Sequence, residues 1–214
     1  MVTRGQLLER PVIVPAGSLC LDGIYLRGAG PALLVASPLP GRGGCMANPI
    51  GCELAYAAAR AGAASLRLDY RGVGASEGER AEDLAPLVED LAAGATFLRE
   101  TVGEERLVLA GVHSGAWSAL AFAAADAAVE ALFLVCPDPE APAGAPAPGA
   151  VRRPTVWVEA EEDPGFARGE VEALLADAPH ARLHVVAGAG RHFRAGLSRL
   201  AALVPPLLGR GARE

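Results

Sequence analysis

A continuous apolar run at residues 31–37, Pro-Ala-Leu-Leu-Val-Ala-Ser, is the feature that most limits how this chain can fold. A strand with one solvated face alternates apolar and polar residues, but this run has no polar residue before its last position. It therefore predicts a strand buried on both faces, as in a parallel sheet covered by helices. A glycine-rich loop over residues 38–48 and a helix over residues 49–60 follow it.

Strands and helices alternate along the rest of the chain. Two short strands are predicted within residues 11–27. Further strands are predicted at 64–69, 106–110, 129–136, 155–158 and 182–186, and helices at 82–102, 114–126, 169–176 and 195–208. This order indicates an α/β fold with an open, mostly parallel sheet and helices on both faces. No repeat or shift in composition divides the chain, so we expect one domain over residues 1–214. Residues 137–154, rich in Ala, Pro and Gly, predict a loop or short flap and no large lid domain.

Composition limits the classes of function. Hydrophobic residues make up 51% of the chain and charged residues 21%, which allows a sizeable core. The net charge of −6, with no basic run, argues against nucleic acid or an anionic membrane surface as partner. None of the four cysteines forms a C-x-x-C pair, and no segment is typical of a signal peptide or membrane span. We expect a cytoplasmic protein that uses no cofactor or metal; the sequence does not specify an oligomeric state.

The sharpest motif is residues 107–116, Leu-Val-Leu-Ala-Gly-Val-His-Ser-Gly-Ala, where a predicted strand runs directly into a helix. It looks like a nucleophile elbow, whose central residue needs small residues two positions before and after it. With His113 at the centre those positions are Gly111 and Gly115. With Ser114 at the centre they are a valine and an alanine, and a β-branched valine fits a crowded position poorly. The spacing therefore predicts His113 at the apex and Ser114 one residue on.

Two downstream residues are candidate partners for the elbow. Asp163 follows the strand at 155–158, and His192 lies in the loop before the last helix. Both come at the ends of successive strands, so we expect them to act with His113 as acid and base. Asp138 is the second-choice acid. The alternative interpretation is that Asp163 belongs to a solvated acidic loop and that His192 is an ordinary surface histidine.

An oxyanion hole would need two backbone N–H groups. One is predicted at Ser114, the residue after the apex. The other is predicted at Leu39, because the prolines on either side of it have no N–H.

The loops at residues 36–49 and 66–78 carry a resemblance to a known family. The first reads Ala-Ser-Pro-Leu-Pro and later Gly-Gly-Cys-Met and Asn-Pro; the second reads Leu-Arg-Leu-Asp-Tyr-Arg-Gly-Val-Gly-Ala-Ser-Glu-Gly. From about residue 20 to the final helix, the chain resembles the small, lidless α/β-hydrolases related to dienelactone hydrolase. A looser likeness is to the hydrolase-like proteins found with bacterial exosortase systems.

The resemblance implies an α/β-hydrolase fold and cleavage of an ester, lactone or thioester through an acyl-enzyme on serine. It also implies the order nucleophile, acid, base, which His113, Asp163 and His192 follow. The chain departs from the family at the nucleophile, since His113 stands where the family has serine. We therefore predict a small-molecule acyl substrate acted on through an imidazole, with Ser114 as nucleophile only in a shifted register.

Other interpretations remain open from the residues alone. A degenerate pseudo-hydrolase would serve as a binding or accessory protein, and a neutral imidazole also suits a lyase or cyclase step. Two imidazoles and a carboxylate, from His113, His192 and Asp163, would make a metal-ligand set. Cys45 and Cys136 are candidate displaced nucleophiles, although a buried, inert thiol is the favoured interpretation of both.

Overall fold

A single eight-stranded sheet organises the computed structural model, which describes residues 7–163, 165 and 168–209. The strands are β1 (Arg10–Ala16), β2 (Leu19–Leu26), β3 (Ala29–Ala36), β4 (Ala63–Leu68), β5 (Leu107–Val112), β6 (Val129–Val135), β7 (Thr155–Ala160) and β8 (Ala181–Val186). Their order across the sheet is β1-β2-β4-β3-β5-β6-β7-β8. Strand β2 pairs antiparallel with both neighbours, and all the other pairs are parallel. The predicted mostly parallel sheet is confirmed.

Helices cover both faces of this sheet. They are α1 (Pro49–Arg60), α2 (Leu84–Val102), α3 (Gly115–Ala125), α4 (Arg168–Leu175), α5 (Leu197–Ala201) and α6 (Val204–Leu207). One apolar layer contains Leu91 of α2 and Leu120 of α3, and the other contains Leu54 of α1 and Leu200 of α5. Each fully buried leucine contributes about 2 kcal/mol through the hydrophobic effect, so the two layers hold the helices against the sheet.

The central strands are buried on both sides, as the apolar run at residues 31–37 predicts. Leu33, Leu34 and Val35 of β3 are all 0% exposed. Leu34 belongs to the layer under α2 and α3, while Leu33 and Val35 belong to the layer under α1. Strand side chains alternate between faces, so a doubly covered strand needs apolar residues at every position.

Helix α1 begins and ends as predicted. The Asn48 side chain accepts from the backbone N–H groups of Ile50 and Gly51, and Pro49 occupies the first helical position. Such a cap is worth about 1 kcal/mol, and proline loses nothing at a position whose N–H has no helical partner. The cap anchors the end of the glycine-rich loop that follows β3.

The loop after β4 holds the glycine-rich loop in place. The Met46 N–H donates to the Asp69 carboxylate at 2.6 Å, which ties the two loops together. Gly74 has φ +58°, and a Cβ there would lie 2.5 Å from an Asp69 carboxylate oxygen. Glycine is needed at that position for both reasons.

Several element boundaries differ from the prediction by one or two residues, and the last predicted helix is divided. The helix predicted at residues 195–208 is two short helices, α5 and α6. Pro205 and Pro206 lie in the first turn of α6, where a missing N–H has no helical partner to lose. In a helix continuing from α5 they would lack the N–H groups that bond to the carbonyls four residues earlier and their rings would clash there, so the chain breaks between α5 and α6. Strand β5 continues two residues beyond the predicted end, to Val112, which brings the sheet directly to His113.

The connector, defined as residues 137–154, contains one short 3₁₀ helix, Pro148–Ala150, and otherwise runs as loop. This agrees with the predicted lidless architecture. Within the described part of the chain, every helix is too short or too polar to cross a membrane. The expectations for residues 1–6 and 210–214 lie outside the described residues.

Candidate active site

The turn between β5 and α3 is strained at His113. This residue has φ +50°, whereas Ser114 is right-handed with φ −58°. A Cβ at Gly111 would lie 2.5 Å from Ala116 Cα, and one at Gly115 would lie 2.6 Å from the Ala36 carbonyl oxygen. Both flanking glycines are therefore required by close backbone approach, and His113 occupies the left-handed position between them.

The His113 imidazole is 7% exposed and is held by one backbone group. Its Nδ1 lies 3.2 Å from the Cys136 carbonyl oxygen. A carbonyl only accepts, so Nδ1 carries the proton and Nε2 presents a lone pair. Nε2 is buried and has no hydrogen-bond partner among the described residues. Burial, reinforced by the nearby Arg191 guanidinium, lowers the pKa of His113 below its ordinary 6.5. The ring is therefore neutral at pH 7 and its free nitrogen is basic.

His192 lies beside His113. The two ring centroids are 5.7 Å apart and the ring planes meet edge to face at 87°. His192 is exposed, so the buried imidazole has a solvent-exposed neighbour. The structure thus brings together two of the three residues predicted for the triad.

Asp163 does not join that pair, because Arg191 takes its carboxylate. Arg191 Nη1 donates to both Asp163 oxygens, at 3.2 and 2.9 Å, and the Gly165 N–H donates to one of them. Arg191 Nη2 also donates to Asp138, the second-choice acid. No hydrogen bond joins His192 to either carboxylate within the described residues. A hydrogen bond between two charged groups is roughly twice as strong as a neutral one, so the guanidinium outcompetes an imidazole.

The two groups predicted for an oxyanion hole are adjacent, but one donor is already used. The Leu39 N–H donates to Ser114 Oγ at 2.9 Å. Ser114 is 3% exposed and its hydroxyl faces the loop that follows β3. The sequence indicated the proximity of these residues but not this bond, which depends on the side-chain rotamer of Ser114.

An open cleft of about 420 Å³ lies over Ser114 and Leu39. The connector supplies one wall through residues 140–143, and Glu82 lies on its lining. Arg42 and Glu140, both exposed, form an ion pair at 3.1 Å. Trp117 Nε1–H donates to the Asp138 carbonyl at 3.0 Å and holds the start of the connector against α3. The cleft is open, as expected without a lid.

A second polar cluster lies at the ends of β6 and β7. Ligand atoms of Cys136, Glu159 and Asp163 all lie within 4.8 Å of one another. Burial raises the pKa of Glu159 to about 7, and burial also raises the pKa of the Cys136 thiol. Trp157 Nε1–H donates to Glu159 at 2.6 Å.

This cluster fits a metal ion poorly, because the Arg191 guanidinium already neutralises Asp163 and would repel a cation. The metal set considered from the sequence, His113, His192 and Asp163, is not gathered in the described residues. The raised pKa of Cys136 favours an inert thiol over a displaced nucleophile.

Sequence reasoning did not identify Arg191 or Glu159 as site residues. Arg191 directly precedes His192, and Glu159 is the penultimate residue of β7. A charged residue inside an otherwise apolar buried strand is a detectable signal for Glu159. The signal for Arg191 is weaker, since an arginine in a loop is most often solvated.

Comparison with known proteins supports the fold. A family model described as serine aminopeptidase, S33, matches residues 49–154, just under half of the chain. No curated protein sequence matches. An α/β serine hydrolase homologue from Coxiella burnetii is 25% identical, with a TM-score of 0.79 over 95% of this chain and 97% of that one.

Two further solved structures are similar over nearly their whole length. A serine hydrolase without a lid from Xanthomonas campestris is 20% identical, with a TM-score of 0.77 over 96% of this chain and 97% of that one. A dienelactone hydrolase from Anabaena variabilis is 23% identical, with a TM-score of 0.75 over 92% and 95%. The chain has the lidless α/β-hydrolase fold, and the matches relate it to serine hydrolases of that fold.

Proposed function

We propose that this protein hydrolyses a small ester, thioester or lactone through His113 rather than through a serine. The observation that carries the proposal is the state of the His113 ring: Nδ1 is committed to the Cys136 carbonyl and Nε2 is buried without a partner. A neutral imidazole at a strained strand–helix turn, at the carboxyl edge of a parallel sheet, is placed where this fold concentrates its chemistry.

Nε2 can act on an acyl carbonyl in two ways. As a nucleophile, it forms a C–N bond to the acyl carbon while the C–O or C–S bond breaks and the leaving group takes a proton from solvent. Water then hydrolyses the acyl-imidazolium and restores Nε2. As a general base, Nε2 takes a proton from water as that water attacks the acyl carbon. The tetrahedral intermediate then breaks its C–O or C–S bond, and the leaving group takes the proton back from Nε2.

His192 and Asp163 enter the proposal in different roles. The exposed His192 ring, 5.7 Å from His113, relays protons between Nε2 and solvent. Asp163 is a positioning residue: with Asp138 it holds Arg191, and thereby the loop that carries His192. Arg191 also helps keep His113 neutral.

The test is turnover of p-nitrophenyl acetate by the wild type, His113→Ala and His184→Ala. His184 is exposed on β8 and serves as the matched histidine control. We expect His113→Ala to lose about 100-fold or more in kcat, typical of removing a positioned base, while His184→Ala keeps wild-type activity. A burst of p-nitrophenol would identify the nucleophilic route.

The pH profile provides a second measurement. The pKa of His113 lies below its ordinary 6.5, so the ring is mostly neutral from pH 6.5 upward and kcat/KM should fall only below pH 6.5. Loss of both activity and fluorophosphonate labelling in Ser114→Ala would instead assign the chemistry to the serine. The absence of turnover on esters, thioesters and lactones would contradict the proposed enzymatic function.

One observation favours an alternative, a binding or accessory protein that has lost catalysis. The Asp163 carboxylate is bonded to Arg191, and the Leu39 N–H is bonded to the Ser114 hydroxyl. Among the described residues, neither an acid–histidine pair nor a complete oxyanion hole is therefore assembled. Under this alternative, His113→Ala would leave any residual ester turnover unchanged.

A further inference from the structure

The Ser114 hydroxyl has an unusual hydrogen-bond partner. Ser114 is the N-cap residue of α3, a position where serine normally accepts from its own helix, yet its side chain makes no such bond. Its Oγ instead accepts from the Leu39 N–H, 75 residues away in the sequence. The hydroxyl oxygen thus occupies the donor that an acyl oxygen would need.

That donor opens onto the cleft. Leu39 and Ser114 both line it, next to Gly41. A ligand oxygen that approaches the Leu39 N–H from the cleft has to displace the Ser114 hydroxyl first. A neutral carbonyl oxygen gains little from the exchange, because it replaces one neutral hydrogen bond by another. A negatively charged oxygen gains more, since charge-assisted hydrogen bonds are roughly twice as strong.

We propose that Ser114 is a specificity-determining residue whose hydroxyl is a resident competitor for the oxyanion donor. It weakens binding of the neutral ester and yields to the oxyanion that develops as the acyl carbon is attacked. The kinetic consequence of this inference rests on the proposed function. Its structural basis is the hydrogen bond from the Leu39 N–H to the Ser114 hydroxyl. It assigns Ser114 a role opposite to that of a nucleophile, because removing the hydroxyl helps the reaction.

The kinetic test compares Ser114→Ala with the wild type on p-nitrophenyl acetate. KM should fall about threefold to tenfold, the equivalent of one neutral hydrogen bond, while kcat stays within about twofold. Ser118→Ala is the matched control: Ser118 lies on the same helix, is fully buried, and bonds to the Gly115 carbonyl and Tyr70 away from the cleft. Ser114→Thr, which keeps a hydroxyl, should retain the wild-type KM. An unchanged or raised KM in Ser114→Ala overturns the inference.

A binding measurement separates this inference from the proposed function. Butyrate, a carboxylate that stands in for the oxyanion, is titrated into ¹⁵N-labelled protein while the Leu39 amide resonance is followed. Ser114→Ala should bind butyrate about threefold to tenfold more tightly than the wild type, with a shift centred on Leu39. Equal affinity, or no change at Leu39, contradicts the inference. If no variant hydrolyses esters, the proposed function fails and the butyrate result still decides the role of Ser114.

Discussion

Burial sets the charge of two residues near the strand ends, and it does so in opposite directions on the pKa scale. It lowers the pKa of His113 and raises the pKa of Glu159 to about 7. Both shifts favour the neutral form, because a low-dielectric environment penalises the charged form of either group. The charge that remains in this region is carried by Arg191 and its two carboxylate partners, Asp138 and Asp163.

The raised pKa of Glu159 predicts a pH-dependent cost to stability. Its folded pKa exceeds its ordinary value of 4.5, so its stabilisation is full below pH 4.5 and is lost as pH rises through about 7. Glu159→Gln keeps an acceptor for Trp157 but does not ionise. Between pH 5 and pH 8, the free energy of unfolding of the wild type should fall relative to this variant by about 2–3 kcal/mol.

Urea unfolding at the two pH values measures this difference. Glu162→Gln, which removes an exposed carboxylate three residues away, is the control and should show no comparable trend. The same stability difference between the wild type and Glu159→Gln at both pH values would contradict the prediction.

At the scale of secondary structure, the β5–α3 turn is set by how closely α3 approaches the sheet. A Cβ at Gly115 would touch backbone atoms at the end of β3, and a Cβ at Gly111 would touch the backbone of α3. Because the atoms nearest to both glycines belong to the backbone, no side-chain rotation can make room for a larger residue. The turn therefore depends on its two glycines more than on the identity of the residue between them.

Gly115→Ala should destabilise the protein by about 2–3 kcal/mol or more, since the new Cβ would overlap the Ala36 and Ser37 carbonyl oxygens. Gly169→Ala is the matched control, because Gly169 lies within α4 and a Cβ there meets nothing within 4 Å. Alanine at that helical position should raise stability by up to about 1 kcal/mol. Thermal unfolding distinguishes the two, and equal melting temperatures would disprove the close-approach argument.

At the scale of the whole molecule, Arg191 joins three segments that are distant in sequence. It lies 28 residues from Asp163, after β7, and 53 residues from Asp138, at the start of the connector. These bonds fix the connector and the His192 loop against the carboxyl edge of the sheet. Removing the guanidinium would leave the Asp138 and Asp163 carboxylates, whose side chains are 14% and 2% exposed, without this counterion.

Arg191→Gln should therefore loosen the connector and speed trypsin cleavage after Arg152 several-fold, which mass spectrometry of the fragments detects; the bond after Arg153 precedes Pro154 and resists trypsin. Arg106→Gln is the control and should leave cleavage unchanged, since among the described residues Arg106 pairs with Glu104 and Glu130 at the surface. Cleavage at the wild-type rate in Arg191→Gln would show that the connector is held by other contacts, such as Trp117.

Local pattern alone was sufficient for much of this protein. The apolar run at residues 31–37 predicted a doubly buried strand, and the spacing of Gly111 and Gly115 predicted a crowded turn centred on His113. These features are readable because hydrophobic periodicity and backbone crowding act between residues that are close in sequence. The mostly parallel sheet and the absence of a large lid followed from the alternation of strands and helices, from the short connector and from the resemblance to lidless hydrolases.

Which polar groups bond to each other became clear from the folded arrangement of the loops. The sequence placed Asp163, His192, Leu39 and Ser114 near one edge of the sheet, but it did not show that Arg191 takes the carboxylate or that the Ser114 hydroxyl takes the Leu39 N–H. Those outcomes depend on competition between neighbouring donors and acceptors at distances of about 3 Å, set by loops that meet only after folding. The order of the site residues along the chain can be read from the sequence, but their hydrogen-bond partners cannot.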